Sequence, residues 1–121
     1  LEAIRDWGYA PEYAEAMWLM LQAEEPDDFV VATNTPATVS DFLEASFGAL
    51  ELDWQKFVEF DSRYLRPTEV DALVGSYGKA KARLGWEPRV LVSELAAIMT
   101  NRDFQSLDNP GSTEAPISWR Y

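Results

Sequence analysis

Residues 11–33 read PEYAEAMWLMLQAEEPDDFVVAT, and the change of pattern inside them decides the fold class. Tyr13, Ala14, Met17, Trp18, Met20 and Leu21 recur at three- and four-residue spacing, which predicts a helix over Pro11 to Gln22. Pro11 suits its first turn, where the missing N–H has no helical partner to lose. Charge and proline in Glu24-Glu25-Pro26-Asp27-Asp28 end the helix. Phe29-Val30-Val31-Ala32-Thr33 is then a short continuous apolar run, the pattern of a buried strand.

Working outward, Asn34-Thr35-Pro36-Ala37 reads as a turn, and Thr38 as the N-cap of a second helix with Asp41 closing a capping box. That helix runs to about Leu50 and carries Val39, Phe42, Leu43, Ser46 and Phe47. Phe57, Val58 and Phe60 predict a second short strand, residues 62–69 an irregular loop around Pro67, and Val70 to Val74 a third strand ended by Gly75. Ser76 caps a short helix that closes at Gly85, with Tyr77, Ala80 and Leu84 on one stripe. Val92 to about Met99 forms the last helix. From about Phe104 the chain turns polar and reads as a tail, which divides it into residues 1–103 and 104–121. Helices alternating with a few short strands place the chain in the α/β or α+β class, and α/β is the class expected here. Three short strands make a thin sheet, since buried-type strands need neighbours that this chain does not supply.

Length and composition narrow the function. A chain of 121 residues with 47% hydrophobic and 13% aromatic content is one globular unit. Five tryptophans imply either a thick core or apolar surface meant for another segment. The net charge of −11 repels nucleic acid and anionic membranes, so neither is an expected partner. Cysteine and histidine are both absent, which removes disulfides, thiolate metal sites and the commonest general base. No apolar run has the length of a membrane span, and the cytosol is the expected compartment. The chain opens Leu1-Glu2-Ala3-Ile4 with no methionine, as a stretch taken from something longer would.

Among the charged residues, Glu24/Glu25 and Asp27/Asp28 read as solvated surface between two elements. Two arginines stand apart. Arg5 lies in Ile4-Arg5-Asp6-Trp7-Gly8-Tyr9, and Arg66 in Tyr64-Leu65-Arg66-Pro67-Thr68-Glu69, each among aromatic and rigid residues. A guanidinium held in that way suits bidentate binding of a diphosphate; the other reading is a loop arginine paired with Asp6 or Glu69.

RDWGYAPEYAEAMWLMLQAEEPDDFVVAT, TVSDF, LDWQKFVEFDSRYLRPTEVDALVG and KAKARLGWEP together resemble the C-terminal part of the GDP-mannose 4,6-dehydratases, through residues 1 to about 100. These are extended short-chain dehydrogenase/reductases. The resemblance implies the substrate-binding part of such an enzyme, with the N-terminal Rossmann part outside this chain. It implies that Arg5 and Arg66 face the diphosphate of GDP-mannose or a similar nucleotide sugar, with Glu69 a polar contact beside them. It also implies a parent lyase that uses NADP to oxidise the sugar at C4, remove water across C5 and C6 and return the hydride, giving GDP-4-keto-6-deoxymannose on the way to GDP-fucose. The parent is expected to be a cytoplasmic homo-oligomer. Asn34 stands where the family commonly has glycine and tolerates the left-handed backbone a glycine would supply.

The family's catalytic pair is Tyr-x-x-x-Lys, and Tyr77 and Lys81 in SYGKAKA have that spacing. The resemblance assigns the true pair to the N-terminal part and makes Tyr77 a first helical residue. No glycine-rich strand-loop-helix unit occurs here, so the chain by itself is expected to hold neither cofactor nor catalytic residues. Two alternatives stay open: a stand-alone nucleotide-sugar-binding module, and a non-catalytic remnant that acts only through its apolar surface.

Overall fold

The computed structural model describes residues 1–61, 63, 70 and 72–108. Two three-residue strands and four helices make up the α/β framework: β1 (Ile4–Asp6), α1 (Ala10–Gln22), β2 (Pro36–Thr38), α2 (Val39–Gly48), α3 (Gly78–Leu84) and α4 (Val92–Asp108). β1 and β2 pair antiparallel, with Arg5 opposite Ala37 and Asp6 opposite Pro36. Pro36 takes the end of its strand, where a missing N–H breaks least of the ladder.

Local chemistry explains the helices. Pro11 sits in the first turn of α1. Thr38 caps α2: its hydroxyl accepts from the Asp41 N–H at 3.0 Å while Asp41 accepts from the Thr38 N–H at 2.8 Å, the expected capping box. α3 ends at Gly85, whose φ of 69° is the left-handed conformation that favours glycine.

Several expectations are corrected. Residues 29–33 form no ladder with the described residues; at their end the Thr33 N–H is taken by the Asp6 side chain and not by a strand. Near Phe57 the chain makes a 3-10 turn, Trp54–Lys56, started by an Asp53 side chain that accepts from the Gln55 N–H; a strand there is replaced by local hydrogen bonding. Of the strand expected at Val70 to Val74, the described residues show one parallel bridge, between Ile4 and Ala72, where the Leu73 N–H donates to the Ile4 carbonyl at 3.3 Å. α3 starts at Gly78, and Tyr77 takes the N-cap position expected of Ser76, whose hydroxyl accepts only a long bond of 3.4 Å from the Gly78 N–H. α4 runs past Met99 and past the expected boundary at Phe104 to Asp108, since no helix breaker precedes Asn109-Pro110-Gly111. Residues 109–121 of the expected tail lie outside the described residues.

The core is built from small side chains around one large one. Ala16 of α1 and Ala80 of α3 are fully buried against Trp86, with Tyr13, Met20, Phe29, Val31, Tyr77 and Leu84 packed around them. The expected stripe of Tyr77, Ala80 and Leu84 is therefore the inner face of α3. Tyr13 and Tyr77 both meet Trp86 edge-on, at 5.9 and 6.2 Å between ring centroids. The Trp86 indole N–H donates to the Glu12 carbonyl at 2.8 Å. The Glu12 carboxylate, 5% exposed, accepts from the Arg89 and Val90 N–H groups and from Arg89 Nε at 3.2 to 3.3 Å. Arg89 Nη2 continues to Glu15 at 2.6 Å. This cluster fastens the first turns of α1 to the segment between α3 and α4. On the other side, α2 packs against α4, and Trp7 stacks on Phe42 at 4.5 Å while its indole N–H reaches the Ala37 carbonyl at 3.0 Å.

Trp86→Ala is expected to cost about 3–5 kcal/mol by emptying this centre, and Thr38→Ala about 1 kcal/mol through the lost cap. Urea denaturation of both variants beside the parent chain checks the order and the gap between them.

Candidate functional site

Arg5 occupies the middle of β1, where its guanidinium Nη1 donates to the Ile4 carbonyl at 2.7 Å and to the Val70 carbonyl at 3.0 Å. The second contact spans 65 residues of sequence. It fixes the charge against the point where the chain returns from residues 62–69 to β1. Arg66 and Glu69, the other two expected binding residues, lie outside the described residues. Val70 follows Glu69 directly, so Arg5 grips the exit of the stretch that carries them.

Asp6, beside Arg5, does different work. Its Oδ1 accepts from both the backbone N–H and the hydroxyl of Thr33, each at 2.7 Å. Oδ2 accepts from the Asn34 N–H at 2.9 Å and, at a longer 3.4 Å, from the Gly75 N–H. Asn34 has φ of 56°, the left-handed conformation expected of it, and this geometry turns its N–H toward Asp6. Burial acts to raise the Asp6 carboxyl, but the bonds from Thr33, Asn34 and Gly75 outweigh it and hold the group below its ordinary value of 3.8. The sequence offered Asp6 only as a partner for Arg5. Nothing in a single chain couples position 6 to positions 33 and 75.

Tyr77 and Lys81 are brought together with structural partners. Tyr77 lies against Trp86, and the Lys81 ammonium pairs with Glu87, whose hydrogen bond holds the lysine above its usual range. Both acidic pairs lie on exposed backbone, and Asp27 pairs with Lys79 at 2.6 Å. A half-open concavity of about 290 Å³ adjoins them, lined by Glu24, Glu25, Asp27, Phe29, Arg83 and Leu84 among others. It shares no residue with the surroundings of Arg5, and its acidic rim does not suit a phosphate. Among the described residues no group of three or more acidic side chains is placed to hold a metal ion, and no helix is long and apolar enough to cross a membrane.

A family model described as GDP-mannose 4,6 dehydratase matches residues 1–99. GDP-mannose 4,6 dehydratase 1 of Arabidopsis thaliana is 53% identical over 105 residues, covering 87% of this chain and 29% of its own length. The Homo sapiens GDP-mannose 4,6 dehydratase is 42% identical over 130 residues, covering 93% of this chain and 35% of its own length. The chain thus spans 29% to 35% of these relatives. Among solved structures, RMD from Pseudomonas aeruginosa complexed with NADPH superposes with a TM-score of 0.72 at 16% identity, covering 88% of this chain and 34% of that one. UDP-glucose 4-epimerase from Bifidobacterium longum, in complex with NAD+ and UDP, gives 0.70 at 18% identity over 89% of this chain and 31% of that one. At such identities the two structures share the fold with it.

Because the Asp6 carboxyl is held low, its contribution to stability is present above pH 3.8 and is lost as pH falls through its lower folded value. Asp6→Asn removes that contribution at every pH. Thermal melts from pH 7 down to pH 3 are expected to show a gap between parent and variant that is widest at neutral pH and closes in acid.

Proposed function

The chain belongs to the GDP-mannose 4,6-dehydratase family, and from that premise we propose that it is the nucleotide-sugar-binding portion of an enzyme that converts GDP-mannose to GDP-4-keto-6-deoxymannose. The observation that carries this reading is the placement of Arg5. Its guanidinium is tied to Val70, at the exit of the stretch bearing Arg66 and Glu69. A guanidinium held by backbone carbonyls beside the chain that leads to a second arginine suits a diphosphate, which takes charge-assisted, bidentate bonds. The work of the two arginines is remote from the reacting carbon: they anchor the nucleotide so that binding energy is used to position the hexose. Glu69 would orient Arg66 or meet the nucleotide.

In this reading the hydride chemistry belongs to NADP, held outside this chain. Among the described residues no strand leads through a glycine-rich turn into a helix, which does not fit a dinucleotide. Tyr77 and Lys81 are engaged with Trp86 and Glu87, which supports placing the acid–base pair elsewhere. The outer face of α1, where Ala14, Met17, Trp18 and Leu21 are exposed, would seat the Rossmann portion. The whole enzyme is then a lyase of the cytoplasm, working as a homo-oligomer in GDP-fucose formation.

A chimera in which this chain replaces the matching stretch of the Arabidopsis enzyme tests the reading directly. It is expected to turn over GDP-mannose, while the 121-residue chain given GDP-mannose and NADP is not. Arg5→Ala and Arg66→Ala in the chimera should each raise KM by about tenfold or more, as loss of charge-assisted bonds worth about 1.5–3 kcal/mol implies. Turnover by the chain alone, or a KM that neither substitution moves, would count against it.

A further inference from the structure

We propose that residues 29–33 are one strand of a parallel sheet whose other strands lie in the part of the parent enzyme outside this chain, and that they join it along the edge carrying the backbone groups of Val30 and Ala32. The proposal rests on the reading of this chain as a portion of a longer enzyme, and it names the element and the edge that make the connection.

The backbone gives the first observation. Phe29, Val30, Val31 and Ala32 make no hydrogen bond to any described residue. The first bond in the run is that of the Thr33 N–H to Asp6 Oδ1, at 2.7 Å. Backbone groups in a folded protein find partners, so four consecutive residues without one point to a neighbour supplied from elsewhere. The side chains give the second observation, because they alternate with the period of a strand. Phe29 and Val31 pack against the centre formed by Ala16, Ala80 and Trp86. Val30 and Ala32 face the other way: a β-carbon at Gly75 would overlap the Ala32 methyl group and crowd a methyl of Val30. An apolar run directed to both faces of its layer is the pattern of a strand in a parallel sheet. Val30 is still 55% exposed, and Met17, Trp18 and Leu21 of α1 add apolar surface that this chain leaves open.

The edge follows from Thr33. In a strand the N–H and carbonyl of one residue point to one edge, and those of the next residue to the opposite edge. Thr33 turns its N–H toward Asp6 of β1, so Phe29 and Val31 share the β1 side and Val30 and Ala32 hold the other. The chain spans 29% to 35% of the relatives it matches, which leaves the greater part of such an enzyme to supply the neighbouring strand. Thr33 is then a junction. Its chain enters the sheet, while its N–H and hydroxyl hold Asp6, so β1 is fastened to the rest of the enzyme through one residue.

Residue-resolved amide hydrogen exchange in the chimera with the Arabidopsis enzyme tests the pairing. The Val30 and Ala32 amides are expected to exchange about a thousandfold or more slowly than in an unstructured peptide, as opening of a whole cooperative unit requires. Val30→Pro removes one of these donors and should lower the melting temperature of the chimera well below that of Val30→Thr, which keeps the N–H and the β-branch. If Val30→Pro does not fold, exchange in the unsubstituted chimera decides alone. Fast exchange at Val30 and Ala32 while the α1 amides stay protected would overturn the proposal. So would protection confined to Phe29 and Val31, or equal melting of the two variants. The two levels of inference separate cleanly. Turnover of GDP-mannose with Val30 and Ala32 unprotected strikes the pairing alone; a folded chimera with both amides protected and no turnover upholds the pairing and strikes the enzymatic reading.

Discussion

One carboxylate, that of Asp6, closes the sheet end of this chain. β1 and β2 are three residues each, too short for a two-stranded ladder to hold itself in water. The third segment adds only a single bridge at Ala72. Hydrogen bonds from Thr33, Asn34 and Gly75 to Asp6 supply what the ladder lacks, and they require every donor to point inward at once. That requirement explains the left-handed Asn34, whose backbone turn brings its N–H to the carboxylate. It also explains Gly75, which must approach Ala32 too closely for any side chain. A charged acceptor suits the task, since bonds to an ionised group are roughly twice as strong as neutral ones.

Glu12 performs the matching task at the other end. A carboxylate this deeply buried is costly unless its oxygens are occupied, and here backbone N–H groups of Arg89 and Val90 occupy them alongside the Arg89 side chain. Its place in the first turn of α1 also sets the negative charge at the positive end of the helix dipole. With the neighbouring Trp86 indole bonded to the Glu12 carbonyl, α1, α3 and the start of α4 are linked through one turn of helix. The two acids therefore divide the framework between them: Asp6 fixes the strands and the return from residue 70, and Glu12 fixes the helices.

What the sequence made legible follows the range of the interaction responsible. The α1 periodicity, the Thr38–Asp41 capping box, the stop at Gly85 and the inner stripe of α3 all depend on residues a few positions apart, and all four appear as read. β1 and β2 were missed because three residues carry no period, and their pairing joins positions 30 to 34 apart. The apolar run at residues 29–33 has a strand's composition, but composition does not fix a partner, and Thr33 bonds to the Asp6 side chain. α4 was read short because its last turns are polar and carry no apolar period. For the site the same division holds. Arg5 stood out through its family motif, whereas Asp6 acts through a contact 69 residues away and leaves no local trace.

The reliance on polar clamps follows from how little large apolar volume this chain buries. Its buried centre is mostly alanine around Trp86, and among the described residues no large side chain falls below 2% exposure. Met17, Trp18 and Leu21 remain more than half exposed on α1, which is apolar on the face turned outward as well as on the face turned in. A helix apolar on both faces belongs inside a larger core. Under the proposed assignment that core is completed by the remainder of an enzyme of which this chain matches less than a third to little more than a third. Apolar packing shared with another segment is non-directional, so it can hold the two parts together without setting the register of β1. Hydrogen bonds can set it, because they fail when a donor moves by a few tenths of an ångström or turns away. β1 and the turns around it thus take their geometry from the hydrogen bonds of Asp6 and Arg5.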